Sequence, residues 1–328
     1  MKCDVSIIVP SFNRVAYLPK TLRSLFDQTL QPCEIIVVDD HSDDGTKEYL
    51  KKNFGGKVVV VENRGKGPGA ARNTGLSAAT GNFIKFFDSD DVMSSNTLEA
   101  QCARLINERS GFVYSPYIRA MQTPLGKWVP TDRVILNFHP FDKRYPLNHW
   151  MLRGLFLAIP SMLFKRDLLE EVGPWPEVTA AYEDWEYLWR IGLVEPDPVH
   201  TSECVFLYRQ HGEQITQGHS DHLRRDKEAV LVLENVLSMY LQRYSKSPFE
   251  RFLLKTKIYT ILKNNRSNAF FREKSSAYSE PVYDAMLCWL RVVNKLQRLQ
   301  TKSQWVTCCG PDSSVEQLDK FMALFDEI

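Results

Sequence analysis

Four short runs of apolar, mostly β-branched residues alternate with segments of helical spacing near the start of the chain. The runs are VSIIVP (5–10), EIIVVDD (34–40), KVVVVEN (57–63) and NFIKFFD (82–88). A continuous apolar run bounded by polar residues is typical of a strand that is buried on both faces. An alternating order of strands and helices implies right-handed crossovers and a parallel sheet. The pattern predicts an α/β fold, a Rossmann-like, mostly parallel sheet flanked by helices.

The rest of the chain is less regular. The segment FVYSPYIRA predicts a further strand, YEDWEYLWRIG (182–192) a helix, and ECVFLYRQH (203–211) a strand. Beyond Gly218 the apolar residues keep helical spacing, and no strand pattern is present. We therefore predict one α/β domain over residues 1–217, with halves at about 1–115 and 116–217, and an all-helical region over residues 218–328.

Bulk composition excludes several classes of protein. Hydrophobic residues make up 44% and charged residues 25% of 328 residues, and the net charge of +1 gives no support for a nucleic-acid partner. The seven cysteines are scattered and form no C-x-x-C pair, which disfavours a disulfide framework and structural zinc and fits a reducing cytosol. No apolar window approaches the length of a membrane span. We expect a cytoplasmic protein, soluble or peripheral at the inner membrane face.

The polar residues that could carry chemistry follow the predicted strands. PSFN ends the first strand, Asp39 and Asp40 end the second, a glycine-rich loop follows the third, and DSDD (88–91) follows the fourth. Ligands of an open parallel sheet bind beyond the carboxyl ends of its strands. A divalent cation would relieve the repulsion within DSDD, and Mg²⁺ or Mn²⁺ binds through one or two carboxylates plus substrate phosphates. The pattern favours a metal-dependent site for a nucleoside diphosphate.

The DSDD motif is open to two other interpretations. It could be a solvated turn that caps the helix starting near Ser95. FFDSDDV also fits the nucleophile motif of haloacid-dehalogenase-type phosphatases, but that motif ends the first strand of its domain, whereas here it ends the fourth. Sugar nucleotidyltransferases share a related sheet, but PSFNRVAYL lacks the glycines of their first loop.

Four motifs together resemble the family-2 inverting glycosyltransferases of GT-A fold. They are VSIIVPSFNR, EIIVVDDHSDDGT, GPGAARNTGLSAATGNFIKFFDSDD and YEDWEYLWRI, and the resemblance covers about residues 3–211. It implies a nucleotide-sugar half followed by an acceptor half. It does not extend to the C-terminal helices.

The resemblance implies a role for each strand end. Pro10, Ser11 and Phe12 would form the floor of the nucleotide pocket, with Phe12 stacked on the base, and Asp40 would accept a hydrogen bond from the base. The remaining nucleotide-sugar contacts would come from Asn13, Gly69, Arg72, Asn73, Asp88 and Asp90. The metal would be held by Asp90, Asp91 and His211. The resemblance does not decide which carboxylate of DSDD binds the metal directly.

Transfer from a sugar diphosphate needs one base, because the leaving phosphate is stabilised by the metal and needs no proton. The resemblance assigns this role to Asp184 and lets Glu183 orient the acceptor. Taken alone, Glu183 and Asp184 could simply favour the helix dipole. The Q-x-x-R-W motif and membrane helices of processive members are absent from the sequence, which indicates transfer of one sugar per binding event.

We therefore expect an inverting, non-processive transferase that moves a sugar, most simply from a UDP-sugar, to a hydroxyl of a glycan or lipid-linked glycan. The alternative is a catalytically inactive protein that binds sugar nucleotides or acts as a scaffold on the same fold. From Gly218 to Lys302 there are 16 Lys and Arg against 8 Asp and Glu. This basic region could contact anionic lipid headgroups, or it could pack on the catalytic core or pair with a second copy of the chain.

Overall fold

A computed structural model of the chain describes residues 4–124, 127–137, 140–142, 144, 146–152, 155–177, 182–212, 214, 222–243, 248–264, 273, 322 and 325. The strands are β1 Val5–Ser11, β2 Glu34–Asp39, β3 Val59–Glu62, β4 Phe83–Phe86, β5 Val92–Met93, β6 Phe112–Tyr114, β7 Tyr117–Gln122, β8 Trp128–Leu136, β9 Met162–Lys165, β10 Val199–His200 and β11 Phe206–Gln210. The helices are α1 Leu18–Phe26, α2 Thr46–Phe54, α3 Pro68–Ala78, α4 Thr97–Leu105, α5 Leu147–Leu152, α6 Arg166–Val172, α7 Glu183–Val194, α8 His222–Arg243 and α9 Pro248–Asn264, with a 3₁₀ turn at Ile159–Ser161.

The main sheet has seven strands in the order β10-β6-β9-β4-β1-β2-β3. Strands β4, β1, β2 and β3 run parallel to one another, which confirms the fold expected from the four apolar runs. Strand β9 is antiparallel to both of its neighbours, β4 and β6. Because of this reversal, the residues that precede β9 lie at the carboxyl edge of the parallel strands.

The central strands are buried because each face of the sheet carries its own apolar cluster. Ile8, Ile36 and Phe86 face one cluster, and Ile7 and Val37 face the other. Strand β3 is different, since it ends the sheet and leaves Val59 47% and Val60 44% exposed. The prediction that this run is buried on both faces is therefore wrong: its apolar character does not reveal its place at the edge.

A second sheet has the order β5-β11-β7-β8 and stands beside the main sheet. The segment FVYSPYIRA, predicted as one strand, contains β6 in the main sheet and β7 in the second sheet. Strand β11 pairs with β7 in parallel and with β5 antiparallel. The second sheet thus joins the turn after DSDD to the LYRQH segment.

The C-terminal helices that the structure describes pack on the α/β domain. Helix α8 contacts α7, and α9 contacts both α8 and α5. Val230, Val236 and Ile258 belong to the same apolar cluster as Ile8 and Phe86 of the main sheet. No helix within the described residues is long and apolar enough to cross a bilayer. The boundary at residue 217 stays a prediction, and the helix expected around Val282–Leu296 lies outside the described residues.

Three of the seven cysteines lie among the described residues. Cys33 and Cys204 are free thiols. Cys102 is disulfide-bonded. The expectation that the chain has no disulfide framework stays a prediction. The adjacent Cys308 and Cys309 lie outside the described residues.

Helix α3 lies against β1 and β2 at very short range because its inner face carries Gly75. A Cβ atom at this position would lie 2.3 Å from Ile8 Cγ2 and 3.1 Å from Val38 Cγ2. Both side chains are fully buried, so neither can move into open space. Gly75 therefore sets the distance between α3 and the sheet, and with it the height of the α3 side chains above the strand ends.

We predict that Gly75→Ala destabilises the fold by about 1–3 kcal/mol, because overpacking against the sheet outweighs a gain of about 1 kcal/mol in helix propensity. Thermal and urea unfolding measure the change. Ser77→Ala places an alanine on the exposed face of the same helix and should leave stability within about 0.5 kcal/mol. Equal or higher stability of Gly75→Ala would contradict the close packing.

Candidate active site

A cleft of about 820 Å³ opens at the carboxyl edge of the parallel strands. Residues from α3 and from the ends of β1, β2 and β4 form one part of its wall, and residues of α7, β7, β11 and the 3₁₀ turn form much of the rest. Of the predicted site residues, those that line the cleft are Pro10, Ser11, Phe12, Asp40, Arg72, Asp88, Asp90, Glu183 and Asp184. The structure therefore brings together residues that are up to 174 positions apart in the chain.

The end of β1 presents an exposed aromatic ring beside a buried hydroxyl. Phe12 is 50% exposed in the cleft, while Ser11 Oγ is buried and has no hydrogen-bond partner within the described residues. Asp40 stands next to them after β2. Its Oδ1 accepts a hydrogen bond from Asn63 Nδ2 at 2.6 Å and its Oδ2 one from the Gly67 backbone at 2.8 Å. This carboxylate is fixed in place and can accept from a ligand N–H with its remaining lone pairs.

Asn13 supports the cleft from behind. It has a positive φ of 52°, which lets the chain turn sharply after β1. Its backbone N–H donates to Ser42 Oγ at 3.0 Å, and its Oδ1 accepts from the Asp43 backbone at 3.0 Å. Asn13 thus ties the loop after β1 to the loop after β2 and is not part of the cleft wall.

Arg72 of α3 is the central cation of the site. Its guanidinium donates to Glu183 Oε1 at 3.0 Å and to Asp88 Oδ1 at 3.3 Å, and it lies 4.5 Å from the centroid of the Trp175 ring. The side chain is 6% exposed. Burial acts to lower its pKa, but the two carboxylates raise it, so Arg72 stays charged. It joins α3, the turn after β4 and the start of α7.

Gly69 and Asn73 hold the segment that follows α6. A Cβ atom on Gly69 would lie 2.0 Å from the Pro176 carbonyl oxygen, so only glycine fits there. Asn73 donates to the Trp175 carbonyl at 3.0 Å and to Glu177 Oε1 at 2.7 Å, and accepts from the Trp175 backbone at 2.8 Å. Both residues were predicted to bind the nucleotide sugar, but they lie outside the cleft wall and position Glu177, which is part of it.

The three carboxylates of DSDD occupy different environments. Asp88 is at the cleft floor, and its pKa rises to about 6, mainly by burial. Asp90 has a lowered pKa, because hydrogen bonding and charge from His211 and Arg14 outweigh its burial. Asp91 is fully buried and absent from the cleft wall, and its Oδ1 accepts from the Arg209 backbone at 3.0 Å. Burial, then Asp90 and Asp88, raise the pKa of Asp91 well above its usual range.

Asp90 and His211 form the donor pair that best suits a divalent cation. His211 Nε2 lies 3.0 Å from Asp90 Oδ2, and the imidazole stacks on Tyr17 with 4.0 Å between ring centroids. Two neighbouring ligands of an octahedral Mg²⁺ or Mn²⁺, each about 2.1 Å from the ion, are about 3 Å apart. Among the described residues no cluster of three or more His, Cys, Asp or Glu could hold a metal. The protein residues therefore fit a metal whose other ligands come from substrate or water, and the buried Asp91 gains no support as a direct ligand.

Asp184 is a carboxylate with a raised pKa. It lines the cleft at the first turn of α7, and its Oδ1 accepts from the Trp185 backbone at 2.6 Å. Burial, followed by repulsion from Glu183, raises its pKa to about 7, although Arg72 acts to lower it. Its neighbour Glu183 is committed to Arg72. The two adjacent acids thus have separate tasks, one as ion-pair partner and one as candidate base.

Sequence reasoning missed several residues of the site. Arg14 donates to Asp90 Oδ2 at 3.3 Å, and Arg209 is 1% exposed and donates to Thr21 Oγ1 at 2.7 Å. Arg14 directly follows the strand-end motif PSFN, which was the available signal for it, whereas Arg209 lies within β11 and no sequence signal singled it out. Glu177 and Phe156 also line the cleft. They come from the irregular middle of the chain, where no periodicity pointed to them.

The family model described as Glycosyl transferase family 2 matches residues 6–173, about half of the chain. The chain therefore belongs to glycosyl transferase family 2, as the four motifs indicated. Among curated proteins, it is 28% identical over 226 residues to the UDP-Glc:alpha-D-GlcNAc-diphosphoundecaprenol beta-1,3-glucosyltransferase WfgD of Escherichia coli, covering 67% of this chain and 83% of that protein. It is 35% identical over 130 residues to the putative teichuronic acid biosynthesis glycosyltransferase TuaG of Bacillus subtilis, covering 38% of this chain and 52% of that protein.

Solved structures agree on the fold. Residues 1–349 of TarS from S. aureus, in complex with UDP-GlcNAc, match with a TM-score of 0.61 and 22% identity, over 81% of this chain and 75% of that chain. The mannosyltransferase PcManGT of Pyrobaculum calidifontis, in complex with GDP-Man and Mn²⁺, matches with a TM-score of 0.52 and 18% identity, over 98% of this chain and 84% of that chain. The fold is that of GT-A glycosyltransferases.

We predict that Arg72→Met destabilises the protein by about 3 kcal/mol or more at pH 8, because it leaves the buried Glu183 carboxylate without its cation and the partly exposed Asp88 without its arginine partner. The pKa of Asp88, which burial already raises to about 6, rises further without Arg72, so the loss is present at high pH and shrinks as pH falls toward 5. Thermal unfolding at several pH values measures it. Arg23→Met removes an exposed helical ion pair and should change little at any pH. A loss in Arg72→Met that does not depend on pH would contradict the ion-pair assignment.

Proposed function

We propose that this protein transfers one sugar from a nucleotide diphosphate sugar, taken to be a UDP-sugar, to a hydroxyl of a glycan or lipid-linked glycan, with inversion at the anomeric carbon. The observation that carries the proposal is a single cleft that joins the strand-end residues Phe12, Asp40 and Asp90 to Asp184, a carboxylate whose pKa is about 7. The WfgD relative and the TarS structure support the choice of a UDP-sugar, since their names contain UDP-Glc and UDP-GlcNAc.

The base of the nucleotide would stack on Phe12 and donate a hydrogen bond to Asp40. Phe12 exposes half of its surface, and a planar ligand would cover it. Asp40 is already oriented by Asn63 and Gly67, so little entropy is lost when it binds a ring N–H. Ser11 Oγ, buried and without a partner among the described residues, is a further polar atom at this end of the cleft.

The diphosphate would lie above the turn after β4. Asp90 and His211 would hold a Mn²⁺ or Mg²⁺ ion, which when bound neutralises the diphosphate and stabilises the departing phosphate. Arg14 keeps Asp90 ionised and oriented for this role. Asp88, with its raised pKa and its partly exposed side chain, would hydrogen-bond to the sugar or ribose hydroxyls.

Asp184 would act as the general base. The acceptor hydroxyl gives its proton to Asp184 while its oxygen forms a bond to the anomeric carbon. The bond between that carbon and the phosphate oxygen breaks, and its electron pair leaves with the nucleoside diphosphate. A pKa near 7 lets Asp184 be ionised in the resting enzyme at neutral pH and still take up a proton readily. One displacement on the face opposite the leaving group inverts the configuration.

We predict that Asp90→Asn abolishes the Mn²⁺-dependent part of nucleotide binding, because the amide is a poor ligand for a hard cation and loses its charge. Thermal shift with UDP, GDP and dTDP, each with and without Mn²⁺, measures this and also tests the choice of nucleotide. Asp91→Asn is the matched control: Asp91 is buried outside the cleft wall, so the Mn²⁺ dependence should persist even if stability changes. Undiminished Mn²⁺-dependent binding in Asp90→Asn would remove this metal assignment.

We predict that Asp184→Asn retains UDP binding and lowers sugar transfer or donor hydrolysis by about 10²-fold or more. In the wild type, kcat/KM should rise with pH and level off above about 7, since the base must be deprotonated. Hydrolysis of a panel of sugar nucleotides, followed by NMR, gives both the rate and the anomeric configuration of the first-formed product. A product of retained configuration would overturn the mechanism, and a protein that binds UDP but turns over no donor would favour the scaffold alternative.

Membrane contact through the basic region 218–302 and pairing with a second copy stay proposals. Packing of α8 and α9 on α7 and α5 is compatible with both, because part of α8 stays exposed. Leu231 of α8, for example, is 47% exposed. Sedimentation with anionic vesicles over a range of salt would separate lipid contact from self-association.

A further inference from the structure

Two of the exposed large apolar side chains in the described part of the chain are aromatic, and both line the cleft. Phe12 is 50% and Phe156 is 43% exposed. In the proposed function Phe12 stacks on the nucleotide base, and no role is assigned to Phe156. An aromatic ring held open in a cleft keeps apolar surface in contact with water, which is unfavourable unless a ligand covers it.

The topology of the sheet places Phe156 at the opposite end of the cleft from the nucleotide. Phe156 precedes β9, which is antiparallel to β4, so this segment lies at the carboxyl edge of the parallel strands. In the sheet order β9-β4-β1-β2, strand β9 lies on the far side of β4 from β1 and β2. Three interstrand spacings of about 4.8 Å separate β9 from β2. The segment that leads from Phe156 into β9 therefore belongs to the β4 side of the cleft, away from the β2 side that carries Asp40.

The backbone around Phe156 is fixed by hydrogen bonds. Asn137 Nδ2 donates to the Phe156 carbonyl at 3.1 Å. Below the 3₁₀ turn that follows, the fully buried Lys85 donates to Gln101 Oε1 at 3.0 Å and to the carbonyls of Pro160 at 2.9 Å and Met162 at 3.2 Å. These three acceptors match the three N–H groups of the ammonium. The ring thus projects from a rigid support, as a preorganised binding surface requires.

We propose that Phe156 is a platform on which a sugar ring of the acceptor stacks through its apolar C–H face. This inference rests on the proposed transferase function and specifies its acceptor as a molecule with a pyranose ring next to the reacting hydroxyl. A sugar suits the surroundings, because the second sheet contributes Arg119, Tyr208 and Gln210 to the cleft wall, groups that can bind hydroxyls.

Saturation-transfer NMR with methyl glycosides of common hexoses and N-acetylhexosamines, in the presence of UDP and Mn²⁺, tests the platform. Phe156→Ala should weaken binding of the best glycoside by about tenfold or more and leave UDP affinity within about twofold. Phe156→Trp should retain glycoside binding, and Phe156→Leu, which keeps apolar bulk without a flat ring face, should not. Phe12→Ala should show the opposite pattern, with UDP lost. Leu231→Ala, which removes an exposed apolar side chain on α8, should change neither ligand.

Several results would overturn the platform. The first is that the wild-type protein binds none of the glycosides. The second is that Phe156→Ala binds the glycosides as tightly as the wild type. The third is that Phe156→Ala loses affinity for UDP and keeps affinity for the glycosides. Octyl diphosphate serves as a probe for a lipid chain. If Phe156→Ala loses binding of octyl diphosphate and keeps binding of the glycosides, Phe156 contacts the lipid and not a sugar ring. UDP binding and donor hydrolysis, recorded on the same samples, report on the transferase function separately. Failure of the platform therefore leaves the proposed function standing, and failure of the function is seen directly.

Discussion

The site depends on one buried cation, the guanidinium of Arg72, held between Asp88 and Glu183 and stacked on Trp175. These groups come from four separate parts of the chain: α3, the turn after β4, the start of α7 and the segment after α6. A parallel sheet gathers carboxylates at its carboxyl edge, and without a compensating charge their repulsion would oppose folding. Arg72 supplies that charge from within the protein, whereas a metal ion would do so only when bound.

The same ion pair separates the tasks of neighbouring acids. Glu183 forms an ion pair with Arg72. Its negative charge also helps burial to raise the pKa of Asp184 to about 7. Asp90, by contrast, is kept ionised by Arg14 and His211. Acidic groups within one cleft thus differ widely in proton affinity, because each has a different ratio of burial to nearby positive charge. Such divergence is what acid–base chemistry at neutral pH requires.

Much of the fold and part of the site could be predicted from the sequence, because both follow from local pattern. Runs of β-branched residues define β1, β2 and β4, and parallel strands must deliver their end residues to one edge. Local sequence pattern does not predict the direction in which a side chain points. Asp90 enters the cleft while Asp91 turns away from it, a difference set by one tight turn in which the Asp91 N–H donates to the Asp88 carbonyl at 3.2 Å. Likewise, the exposure of Val59 and Val60 follows from the order of strands, which depends on pairings distant in sequence.

The packing of α8 has a consequence for how the chain can be divided. Helix α7, which carries Asp184, is covered on one side by α8, and Asn235 of α8 donates to Glu186 of α7 at 3.0 Å. Val230 and Val236 fill the same apolar cluster as the main sheet. A chain cut after the last strand would leave the helix with the proposed base open to water along that face. The helical region thus covers the helix that carries the proposed base, and recombination between relatives would have to keep the two together.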